Sequence, residues 1–108
     1  MKKVVKAQLW IPKMNESFIK LNCKQLNELI DGWSIYYDCF IAEYGDEEVT
    51  CFEVCCEAKT FKQADSYYKL FKDAVKQCFD KKPKEIIKVK LERIWLYEQD
   101  NVCRRFTP

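Results

Sequence analysis

The spacing of apolar residues along this chain switches between two periods, and that switching limits the fold more than any single motif does. A period of two marks a half-buried strand, and a period of three to four marks an amphipathic helix. From Val4 to Ile11, Val5, Ala7, Leu9 and Ile11 fall on one face, with Lys6, Gln8 and Trp10 on the other. Pro12 ends that strand, because it lacks the N–H a ladder needs.

A helix follows. Asn22 reads as its N-cap, with Gln25 completing a capping box and Leu21 and Leu26 able to form a hydrophobic staple. Cys23, Leu26, Leu29 and Ile30 recur at helical spacing, and Gly32 supplies a left-handed stop. Period two returns from Trp33 to Ala42, with Trp33, Ile35, Tyr37, Cys39 and Ile41 on one face. Tyr44-Gly45-Asp46 reads as a hairpin turn into a third strand, Val49 to Ala58.

Thr60 and Gln63 form a second capping box, before the helical stripe Phe61, Ala64, Tyr68, Phe71, Val75 and Cys78. Pro83 bounds it. A last strand runs from Glu85 to Glu98. Ile87, Val89 and Leu91 share one parity and Ile94 and Leu96 the other, which predicts a bulge near Glu92-Arg93. The reading is one α+β domain over residues 1–98 and a polar C-terminal tail over 99–108.

The order is β-α-β-β-α-β, a two-layer sandwich with two helices on one face of a four-stranded antiparallel sheet. In topology it resembles the ferredoxin-like, or split βαβ, arrangement, which implies strand order 4-1-3-2. That resemblance carries no function.

With that order, the helix-free face can be written out. It should show Lys88 and Lys90 from the fourth strand and Lys6, Gln8 and Trp10 from the first. The third should add Cys51, Glu53 and Cys55, and the second Tyr36, Asp38 and Phe40. The face would run from basic at one edge to acidic and aromatic at the other. The net charge of +2 hides this polarity.

Several chemistries are disfavoured. The chain has no His, so it lacks the commonest general base near neutral pH and the commonest metal ligand. An enzyme is therefore not expected, and no catalytic residue is assigned. Gly32 and Gly45 are its only glycines, too few for a phosphate-cradling loop. Cys51, Cys55 and Cys56 suggest a metal cluster, but residues four apart on a strand are separated by about 13 Å and adjacent ones face opposite ways. Asp46, Glu47 and Glu48 read as a solvated turn. Neither metal nor cofactor is expected.

With 7 Cys and no apolar N-terminal leader, the thiols are expected to be reduced and the protein cytoplasmic. Cys51 and Cys55 are the expected reactive thiols. Cys23, at the first position of the first helix, could have its thiolate stabilised by the helix dipole, although a small apolar residue sealing that helix is the preferred reading. No stretch is long and apolar enough to span a membrane.

The expected role is a non-enzymatic protein-binding module. Its contact residues would be Trp10, Tyr36, Asp38 and Phe40, with Asp46, Glu47 and Glu48 steering a protein partner. A homodimer through the open sheet face is compatible with the charge gradient. The alternative is nucleic-acid binding through Lys6, Lys84, Lys88 and Lys90, with Trp10 as a stacking platform. The Lys-, Ile- and Phe-rich, Gly-poor profile resembles small accessory proteins of AT-rich microbial or viral genomes. These include phage-encoded inhibitors of host machinery and anti-defence proteins.

Overall fold

The computed structural model describes residues 2–94, and the side chains among them up to Ile86. Its elements are β1 (Lys2–Pro12), α1 (Glu16–Leu29), β2 (Ile35–Tyr44), β3 (Glu47–Ala58), α2 (Phe61–Phe79) and β4 (Lys84–Ile94). The strands form one sheet in the order β2-β3-β1-β4, and every neighbouring pair is antiparallel. Read from the other edge this is 4-1-3-2, the order that the ferredoxin-like resemblance implies. The tail beyond Ile94, with Trp95 and Tyr97, lies outside the described residues.

Both helices pack on one side of the sheet. Val5, Ala7, Leu9 and Ile11 of β1 and Phe52, Val54, Cys56 and Ala58 of β3 meet Leu26 and Ile30 and the α2 residues Ala64, Tyr68, Phe71, Val75 and Phe79. Phe52 lies at its centre, edge-on to Phe71 (6.2 Å) and Phe79 (5.2 Å). Each such buried side chain contributes roughly 1.5–3 kcal/mol relative to exposure. Thr60 caps the second helix as read, its Oγ1 accepting from Gln63 N–H at 3.1 Å, but the Gln63 side chain donates to the Tyr67 hydroxyl at 3.2 Å.

The first helix starts earlier than expected. Asn15 is its N-cap, with Oδ1 accepting from Ser17 N–H at 2.8 Å. Asn22 therefore lies within the helix. The early turns of α1 bury only Ile19 and leave Phe18 and Leu21 exposed, so the apolar period is weak there. Leu29, assigned to the buried stripe, is also exposed. Trp33 precedes β2 and packs on Tyr67, ring centroids 5.7 Å apart.

The fourth strand carries two irregularities. Lys2 pairs with Ile94 and Val4 with Leu91, so Glu92 and Arg93 together oppose Lys3, as the change of parity predicts. The other was not foreseen. Gln8 pairs with Ile87 and Leu9 with Glu85, which leaves Ile86 unpaired. One extra residue reverses the parity of everything beyond it. Lys88 and Lys90 thus align with Ala7 and Val5, the core-side residues of β1, not with its helix-free side. Their side chains lie outside the described residues.

Candidate interaction face

The helix-free side is best described by rows running across the strands. One row is Phe40–Cys51–Trp10–Lys84, the next is Asp38–Glu53–Gln8, and the next is Tyr36–Cys55–Lys6. The alternation thus brings Trp10, Tyr36, Asp38 and Phe40 together on one side of the sheet, as predicted.

Trp10 is the hinge of the first row. Its ring stacks on Tyr44 at 5.1 Å, tilted 31°, and Lys84 Nζ stands 4.9 Å from its centroid. Trp10 itself is half-buried, whereas Phe40 and Tyr44 are exposed (40% and 50%). Tyr44 was not among the expected contact residues. It shares the even parity of Tyr36, Asp38 and Phe40 along β2, a signal the turn assignment obscured.

Beneath this rim the central strand is closed. Cys51, Glu53, Cys55 and Glu57 are all buried. Cys51, flanked in its row by Trp10 and Phe40, is a short side chain between two large rings. Burial and the nearby Glu53 push its thiol up to about 11. The expectation that Cys51 and Cys55 are the accessible, reactive thiols is therefore corrected.

Glu53 accepts a hydrogen bond from Gln8 Nε2 at 3.0 Å. Burial raises its carboxyl above the ordinary range, Gln8 opposes that, and Asp38 adds to it. Glu57 faces Lys2 Nζ at 3.8 Å.

The acidic hairpin is divided. Gly45, with φ of 64°, takes the first central position of a two-residue turn, and Asp46 is exposed beside it. Glu47 pairs with Tyr44 and shares the parity of the helix-free side. Glu48 has the opposite parity and binds Lys13 at 3.1 Å. At the far end of β2, a polar depression of about 420 Å³ is lined by residues including Asp31, Trp33, Tyr36 and Asp38.

The lysines of the alternative reading are dispersed. Lys6 is half-buried on the third row, Lys84 lies over Trp10, and Lys88 and Lys90 fall at core-side register positions. Cys23 is not at a helix start but in the middle of α1, which removes the dipole argument for its thiolate. No helix of the described residues is long and apolar enough to cross a membrane.

These features define a class: a two-layer α+β sandwich whose helix-free side carries an aromatic and acidic rim along one edge strand. No family model matches the chain, and no curated protein is similar to it.

Proposed function

We propose that this chain is a non-enzymatic protein-binding module that docks a partner on the β2 edge of its helix-free side. In this reading it acts by occluding or bridging that partner, as a small inhibitor or regulator does. The observation that carries the reading is the concentration of exposed apolar side chains on β2. Phe40 and Tyr44 lie there on its helix-free side, with Trp10 held against Tyr44 behind them. Aromatic side chains clustered in this way are the usual energetic centre of an interface.

The charge around that centre favours a basic partner. Asp38 and Glu47 are exposed on this side of the sheet, and Asp46 at the hairpin tip beside it. Asp31 and Asp38 line the same depression, which suits an incoming Lys or Arg. Among the described residues β2 pairs with β3 alone, so its outer edge can also accept a partner strand.

Nucleic acid has less support. The central rows of the face carry Asp38 and Glu53, which repel phosphate. The test is affinity capture from the native cell with wild type beside the Trp10→Ala, Phe40→Ala double variant. Loss of specific partners with the double variant is the expected result. Identical partners with an intact fold remove the face from consideration. Salt-sensitive binding of RNA or DNA, abolished by Lys6→Ala and Lys84→Ala, would favour the alternative.

A further inference from the structure

β2 is an edge strand without the usual protection. Edge strands are commonly guarded by Lys, Pro or a bulge. Ile35–Tyr44 contains no Lys, Arg or Pro, and its register with β3 is unbroken. Glu57 N–H donates to the Ser34 carbonyl oxygen at 2.9 Å, so the even-numbered positions of this ladder are the ones bonded to β3. The backbone groups of the odd-numbered positions point outward. The Ile35 N–H is taken by the Trp33 carbonyl oxygen. Those of Tyr37, Cys39, Ile41 and Glu43 have no strand partner among the described residues.

The odd-numbered side chains lie on the α1 side of the sheet, where Ile35, Tyr37 and Cys39 pack on the core. Tyr37 bridges to α1. Its hydroxyl donates to Asn27 Oδ1 at 2.6 Å and lies 3.4 Å from the Cys23 carbonyl oxygen. On either side of that bridge the edge opens into a hollow. Towards the start of α1 is a groove of about 560 Å³ with Met14, Ile19, Cys39 and Ile41 in its walls. Its rim carries Lys13, Glu16 and Lys20, and Lys13 is held by Glu48 at 3.1 Å. Towards the end of α1 is the depression of about 420 Å³, lined by Asp31, Ile35 and Asp38, with no Lys or Arg among its described residues.

We propose that the partner contributes an extended segment that adds to β2 as a further antiparallel strand, with a large apolar side chain opposite Cys39 and Lys or Arg opposite Ile35. This rests on the protein-docking reading and names what its partner must present. Every pairing already in the sheet is antiparallel. Directly opposed residues point to the same side of a sheet. The two specified side chains therefore both face α1, four residues and about 13 Å apart. The apolar one meets the groove and the basic one the depression.

Charge selects the occupant. Asp31, Asp38 and Glu43 are exposed around this edge, and β2 itself has no base. A second copy's β2 would bring acids against acids, whereas a basic segment is complementary.

The probe is the peptide acetyl-Thr-Thr-Leu-Thr-Val-Thr-Arg-Thr-amide, with Leu meant for Cys39 and Arg for Ile35, followed by fluorescence anisotropy of a dye-labelled form. Binding should slow amide hydrogen exchange at Tyr37, Cys39 and Ile41. N-methylation of the Leu and Val amides, which face β2, should weaken binding by about tenfold or more. N-methylation of the two Thr amides that follow Leu and Val, which face away, should leave it unchanged. Replacing Arg by Glu should weaken binding by about tenfold, and Asp31→Lys should erase that preference. Ile41→Lys, a guard placed on the edge, should abolish binding without shifting the melting temperature. No binding at about 1 mM peptide, the weak end of specific recognition, overturns the proposal. So does an equal effect of the two N-methylation patterns. A concentration-dependent dimer of the chain, lost in Ile41→Lys, also overturns it and gives the edge to a second copy. The two readings fail separately. Capture unaffected by Trp10→Ala with Phe40→Ala removes the helix-free face, whereas the peptide reports on the β2 edge directly.

Discussion

Gln8 and Glu53 meet across the β1–β3 ladder, the amide nitrogen 3.0 Å from the buried carboxylate. The bond offsets only part of the cost of burying a charge, so the Glu53 carboxyl titrates above the ordinary range. A carboxyl with a raised folded-state pKa binds its proton more tightly folded than unfolded. It therefore lowers stability at neutral pH, and that penalty fades as pH falls through the ordinary Glu range, about 4.3. Glu53→Gln keeps an acceptor for Gln8 and removes the charge. It should raise the melting temperature at pH 7, with the gain shrinking towards zero in acid. Thermal melts of both chains across that range check it.

Phe52 and Phe40 lie on the inner and outer parities of the sheet and should respond differently to truncation. Phe52 is fully buried against Phe71 and Phe79. Phe52→Ala should cost about 3–5 kcal/mol, enough to threaten folding. Phe40→Ala should stay within about 0.5 kcal/mol of wild type while weakening partner capture. Urea unfolding of each variant separates the two effects.

The two candidate caps of the first helix give opposite outcomes. Asn15→Ala removes the acceptor of the Ser17 N–H and should cost about 1 kcal/mol. Asn22→Ala lies inside α1, where alanine is the better helix former, so it should be neutral or stabilising by about 0.5 kcal/mol. Chemical denaturation of the two single variants decides between the starts.

Gly45 supplies the left-handed backbone at the hairpin tip, next to Tyr44. An added Cβ there meets nothing within 4 Å, so Gly45→Ala adds backbone strain without a clash. The expected loss is about 1–2 kcal/mol. Because that turn sets the β2–β3 register, the Trp10–Tyr44 contact should loosen with it, measurable as a change in near-ultraviolet circular dichroism.

Much of this was legible along the chain. Alternation at Val5 to Ile11 and Phe52 to Ala58 assigned the core face, and the Thr60 box marked the second helix. The start of the first helix was not legible, because Phe18 and Leu21 are exposed and break the stripe that signals a helix. The parity of the fourth strand was misread at Ile86. A bulge is a property of the pairing between two strands, and nothing in Lys84 to Leu91 by itself marks where one residue drops out of register.

The linear order of residues determined the element types and the face shared by Trp10, Tyr36, Asp38 and Phe40. These follow from short-range periodicity. Tertiary structure alone decided which polar groups became buried and which of them met. Glu53 lies beside Gln8, and Tyr37 against Asn27, because distant segments were brought together by packing. Their chemistry depends on that proximity and on exclusion from water, neither of which the sequence around each residue records.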